Sequence, residues 1–67
     1  MNLKELKNIA SAYTLDTRLL EREGLFLLDM KSRRYHKVCR TNEVDSLDKD
    51  HFLQEIRKFT NKLHGRG

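Results

Sequence analysis

The chain has few of the residues that stabilise or interrupt small proteins: it contains no proline, one cysteine and three glycines. Because Cys39 has no second cysteine to pair with, an internal disulfide is excluded. The start of the chain also lacks the apolar segment followed by small residues that a secretory signal requires. A lone thiol and no signal pattern together predict a cytoplasmic protein.

Long apolar stretches are missing as well. The longest apolar run is Leu25 to Leu28, whereas a helix needs about 20 such residues to cross a bilayer. The sequence therefore predicts no membrane-spanning segment. Its 67 residues are 37% hydrophobic and 36% charged, which is typical of one small folded domain over 1–67, with a flexible C-terminal end at 65–67. A domain of this size buries little surface, so a homodimer is as reasonable an expectation as a monomer.

Positive charge is concentrated in one segment, KSRRYHKVCR, which runs from Lys31 to Arg40. This basic decapeptide holds five Lys or Arg residues, one His and no acid, whereas the other 57 residues hold nine bases and ten acids. The formal net charge of +4 is thus a local property of the decapeptide. Clustered Lys and Arg side chains raise the local positive potential, which favours a polyanionic partner such as DNA or RNA.

Apolar residues at helical spacing predict a helix near each end of the chain. The first set recurs at three and four residues, with Asn2 placed to cap it, and consists of Leu3, Leu6, Ile9, Ala10 and Tyr13. The last set recurs at four, three and four residues, with Leu53 beside it, and consists of Phe52, Ile56, Phe59 and Leu63. Acids within 41–50 are expected to form a linker and cap the last helix, while bases precede its end at Gly65.

The segment that follows the first helix is predicted to be a second, short helix, and its continuation as one long helix is the alternative. The apolar phase shifts between Tyr13 and Leu19, so we expect a bend at 14–17, with Asp16 as the cap. Gly24 would close this segment.

After Gly24 the pattern favours a β-hairpin. A short apolar run follows the glycine, and Tyr35, Val38 and Cys39 are interspersed with bases. A loop around Lys31 and Ser32 would pair Asp29 with Arg34, Leu28 with Tyr35, and Phe26 with Lys37. No Asn-Gly or Asp-Gly marks the turn, so a helical conformation here, and with it an all-α helical bundle, is the alternative.

Alternation along the hairpin separates two faces. The face expected to pack on the helices carries Phe26, Leu28, Met30, Tyr35 and Cys39. The face expected to meet solvent carries Arg34, His36 and Arg40, with Lys31 and Arg33 at the turn free to reach phosphates.

The predicted nucleic-acid contacts comprise the decapeptide and a second basic set near the end of the last helix. They are Lys31, Arg33, Arg34, His36, Lys37, Arg40, Arg57, Lys58 and Lys62. Arg66 extends this second basic set. Bases near the C-terminal end of a helix are also expected from the helix dipole alone. A solvated strand whose bases discourage edge pairing is the alternative explanation of the decapeptide.

Metal and catalytic sites are not supported by the spacing of the reactive residues. His36 and Cys39 are separated by two residues, but no second Cys or paired His completes a set of four zinc ligands. A nuclease built on Asp29, Glu43 and His36, or a nucleophilic Cys39, would need a closed pocket that so short a chain seldom forms. We predict no metal, no cofactor and no enzymatic activity.

These observations favour an α+β domain with the order helix, β-hairpin, helix. Its predicted function is that of a small, non-catalytic nucleic-acid-binding or regulatory protein that contacts phosphate through the basic hairpin. The alternative is a protein interaction module or inhibitor that docks an acidic partner, as a dimer.

Overall fold

The computed structural model describes residues 1–65 and has the order helix, three strands, helix. Helix α1 spans Leu3–Ser11 and helix α2 spans Lys49–Leu63; the strands are β1 (Asp16–Leu20), β2 (Gly24–Asp29) and β3 (Arg34–Cys39), and a 3-10 helix covers Thr41–Ser46. The α+β class is confirmed. Arg66 and Gly67, which belong to the predicted flexible end at 65–67, lie outside the described residues.

Both terminal helices form where the apolar spacing predicts them. The Asn2 side chain accepts a hydrogen bond from the Glu5 amide at 2.9 Å, and the Asp48 side chain accepts one from the His51 amide at 2.7 Å. Each bond satisfies an amide of the first helical turn that has no partner within the helix. Tyr13 differs from the prediction, because it lies beyond the end of α1 and is 48% exposed.

The predicted second helix is wrong, because residues 16–20 form β1. This strand pairs antiparallel with β2, with Thr17 opposite Leu27 and Arg18 opposite Phe26. Thr17 is buried whereas Arg18 is exposed, which is the alternation of a strand. The predicted hairpin is therefore part of a three-stranded antiparallel sheet in the order β1-β2-β3.

The predicted pairing of β2 with β3 is confirmed. The partners are Asp29 with Arg34, Leu28 with Tyr35, and Phe26 with Lys37. Leu25 then pairs with Cys39, which leaves Val38 as the extra residue of a bulge.

The predicted assignment of the two sheet faces is wrong for Phe26, Leu28 and Tyr35, whereas Cys39 packs against the core as predicted. The core of the protein forms between the helices and the sheet face that carries Thr17, Leu25 and Leu27, which we call the helix face. Tyr35 is 70% exposed on the opposite face, and Met30 is exposed in the loop. The reason is that β2 is apolar on both faces, so alternation alone does not determine which face the helices cover.

The region between β3 and α2 also contributes to the core. Val44 in the 3-10 helix and Leu47 after it are buried against the same cluster as Phe52, Ile56 and Phe59. The sequence predicts this stretch as a linker because acids surround Val44 and Leu47, which are its two apolar residues.

Gly24 has a backbone conformation that the sheet requires. Its φ angle is +120°, and a Cβ atom placed on it would collide with the carbonyl oxygen of Cys39. Because a backbone oxygen in a sheet cannot move aside without breaking strand pairing, only glycine fits where β2 begins.

We expect Gly24→Ala to lower the free energy of unfolding by about 2 to 4 kcal/mol, since it adds both a strained φ angle and a backbone collision. Gly65→Ala is the matched control: Gly65 also has a positive φ of +74°, but a Cβ there meets no atom within 4 Å. Its expected cost is about 1 kcal/mol. Urea denaturation measures both, and equal losses in the two variants would show that the Cys39 contact contributes nothing.

Candidate nucleic-acid interface

The sheet face opposite the helices is open to solvent, and we call it the open face. Cross-strand pairing places Arg18, Phe26 and Lys37 in one row across the three strands. Leu28 and Tyr35 form part of the next row. These five side chains, with Leu20, Arg22 and Glu23, line one shallow depression that contains strand and turn residues only.

Two aromatic rings lie side by side on the open face. The ring centroids of Phe26 and Tyr35 are 5.8 Å apart and their planes are inclined by 65°. This edge-to-face arrangement is favourable for aromatic pairs and holds Tyr35 against the sheet, although most of its surface meets solvent. The open face therefore presents an ordered aromatic surface between two bases.

The Lys and Arg residues of the decapeptide are distributed along β3, which is an edge strand of the sheet. Lys31 and Arg33 lie in the loop before the strand, Arg34 and Lys37 lie within it, and Arg40 follows it. A strand of six residues is about 20 Å long, so these charges form a line along one edge. All five side chains lack a salt bridge within residues 1–65.

The loop between β2 and β3 holds its bases in a defined conformation. The Arg33 amide donates to the Asp29 carbonyl at 2.8 Å, and the Ser32 hydroxyl donates to the Asp29 carboxylate at 2.7 Å. Arg33 has a φ angle of +60°, in the left-handed region that closes such loops. The loop thus presents Lys31 and Arg33 from a turn that Asp29 organises.

His36 does not face solvent as predicted, because it lies on the helix face and contacts α2. Its Nε2 atom donates to Oε2 of Glu55 at 2.7 Å, and its ring stacks on Phe59 with centroids 5.7 Å apart. The side chains of His36 and Glu55 are only 14% and 13% exposed. The imidazole therefore links β3 to α2, and it is not placed to contact a phosphate.

The bases of α2 separate onto two sides of the helix. Lys58 lies 3.7 Å from Glu55, on the side that faces β3, and Lys62 lies one turn further along the same side. Arg57 lines a depression with Tyr13 on the opposite side. Lys58 and Lys62 thus lie on the side of α2 that faces β3. Arg57 lies on the other side, beside Tyr13, which also lines a depression with Lys31 and Arg34.

Cys39 lies near the carboxylates of Glu43 and Glu55. It lines a small cleft with Glu43 and His51. Burial raises the pKa of the Cys39 thiol, and the nearby carboxylates of Glu43 and Glu55 raise it further, against a smaller opposing effect of Lys37. The raised pKa lowers the fraction of thiolate, which is the nucleophilic form of cysteine.

Within residues 1–65, no cluster of three or more His, Cys, Asp or Glu side chains is arranged to hold a metal ion. Over the same residues, no helix combines the length and the apolar character needed to cross a membrane. Comparisons of the chain with protein-family models, with curated proteins and with solved structures find no match.

Sequence reasoning missed four contributors to the open face: Arg18, Arg22, Phe26 and Tyr35. Arg18 and Arg22 were placed in a helix, and the two rings were assigned to the core. The sequence does carry a signal for β1. Thr17 and Leu19 alternate with Asp16 and Arg18, and only three residues, 21–23, separate this segment from the apolar run that begins at Gly24. Two such segments joined by a short turn are typical of a β-hairpin.

Glu55→Ala should lower the free energy of unfolding by about 1 to 3 kcal/mol, because it leaves the half-buried His36 ring without its hydrogen-bond partner. Gln54→Ala, an equal truncation at an exposed position of the same helix, is the control and should change stability by less than about 0.5 kcal/mol. Alanine favours helix at both positions. Thermal or urea unfolding measures the change in stability of each variant. Equal effects of the two substitutions would contradict the assigned role of Glu55.

Alkylation of Cys39 by iodoacetamide should be slower in the folded protein than in the urea-unfolded chain at neutral pH. The thiolate is the reactive form, and the raised pKa lowers its fraction in the folded state. The difference should shrink as the pH rises through the folded-state pKa of the thiol. A folded protein that reacts faster than the unfolded one at neutral pH would contradict this account.

Proposed function

We propose that this chain is a small, non-catalytic nucleic-acid-binding protein that contacts phosphates through the bases of the decapeptide. The observation that carries the proposal is that all five Lys and Arg side chains of the decapeptide lie along one sheet edge without a salt bridge within residues 1–65. A line of Lys and Arg side chains without acidic partners can contact successive phosphates of a nucleic-acid backbone.

The proposed contact set differs from the one predicted from the sequence. It retains Lys31, Arg33, Arg34, Lys37 and Arg40 from the decapeptide. It also retains Lys58 and Lys62, from the side of α2 that faces β3. His36 is left out because Glu55 and Phe59 hold its ring. Arg57 is left out because it lies on the side of α2 opposite Glu55, the residue that contacts β3.

An acidic protein partner would use the same bases, so the experiment must separate it from nucleic acid. Nucleic-acid binding releases counterions from phosphates, which gives a steep and predictable dependence on salt. If about five phosphates are contacted, the affinity should fall by roughly 500-fold between 50 and 200 mM salt.

The double variant Arg33→Glu, Arg34→Glu should bind DNA and RNA oligonucleotides of all sequences more weakly, and it should reduce the salt slope by about 2. The control is Lys4→Glu, Lys49→Glu, which changes two exposed helix lysines and also takes the formal net charge from +4 to zero. Fluorescence anisotropy of labelled oligonucleotides measures both variants. If the control loses as much affinity as the test variant, binding depends on the net charge of the protein and not on the bases of the β3 edge.

A further inference from the structure

The open face carries a surface that phosphate contacts alone leave unused. Tyr35 is 70% exposed although it contacts Phe26 and pairs across the strands with Leu28. An exposed tyrosine on an apolar floor retains a large area that water solvates poorly, which favours a flat, unsaturated ligand.

The charges around the rings indicate what kind of ligand that is. Arg18 and Lys37 lie directly opposite Phe26 on its two neighbouring strands. Arg22 lines the same depression, and among residues 1–65 Glu23 is the one acid that lines it, while Asp16 lies opposite Leu28 in the next row. A ligand that suits this face combines flat rings with negative charge.

The unpaired nucleotides of a nucleic acid have both properties, because each carries a flat base and a charged phosphate. In a duplex the bases are stacked on one another, whereas in a single strand each base offers a free face to an aromatic side chain. Such a strand can place bases on Tyr35 and Phe26 while its phosphates meet Arg18 and Lys37.

We propose that the open face binds single-stranded nucleic acid by stacking bases on Tyr35 and Phe26. This inference rests on the proposed function and specifies the form of the nucleic acid. The open face provides stacking, and the adjoining β3 edge provides phosphate contacts for the rest of the strand.

The test is titration of the full chain with labelled oligothymidylate, with a DNA duplex and with heparin, a polyanion that has no bases. Tyr35→Leu should weaken binding of oligothymidylate by about 5- to 150-fold and leave heparin binding unchanged. Tyr35→Phe should retain the affinity of the parent protein. Tyr13→Leu is the matched control, since it changes the other tyrosine, which is also exposed but lies outside the open face.

Tyrosine fluorescence gives a second readout, because the chain has two tyrosines and no tryptophan. In Tyr13→Phe, Tyr35 is the sole tyrosine, and stacking on a base should quench its emission when oligothymidylate binds. Heparin should not quench it.

The outcomes separate this inference from the function on which it rests. Equal affinities of Tyr35→Leu and Tyr13→Leu for oligothymidylate, or tighter binding of the duplex than of the single strand at equal salt, would overturn base stacking and leave phosphate binding intact. Failure of the parent protein to bind either nucleic acid at low salt would refute both proposals and favour an acidic protein as the partner.

Discussion

The two helices of this protein cover only one face of its sheet, and the rest of the structure depends on that constraint. The central strand β2 is apolar on both sides, with Leu25 and Leu27 buried against the helices and Phe26 and Leu28 on the open face. A chain of 67 residues has no further element among residues 1–65 to place there. Phe26 and Leu28 therefore remain partly exposed because two helices are enough to cover only one face of a three-stranded sheet.

The contact between His36 and Glu55 sets the orientation of the basic strand. Because His36 points to α2, its neighbours Tyr35 and Lys37 must point to the open face. The stacking of His36 on Phe59 and its 2.7 Å bond to Glu55 thus place an aromatic ring and a base side by side on the opposite surface. One interaction inside the protein thus determines which face of β3 carries Tyr35 and Lys37.

The helices and the β2–β3 register could be predicted from the sequence because both depend on local spacing. Phe52, Ile56 and Phe59 have a single favourable packing at 3.6 residues per turn, and Asp29 opposite Arg34 places unlike charges beside a short loop. Strand β1 and the choice of sheet face were not predictable in this way. A leucine-rich strand has no polar face to reveal its orientation, and only the distant partner Glu55 makes an inward His36 favourable. The open face was missed for the same reason.

The sheet order has a consequence for how the chain reaches this structure. Each strand pairs with its neighbour in sequence, across loops of three residues (21–23) and four residues (30–33). Short loops lose little entropy on closing, and pairings between sequence neighbours are typical of fast-folding domains. We expect the sheet to assemble early, with α1 and α2 arriving from the two ends of the chain. The aromatic open face would then form before the core that lies beneath it is complete.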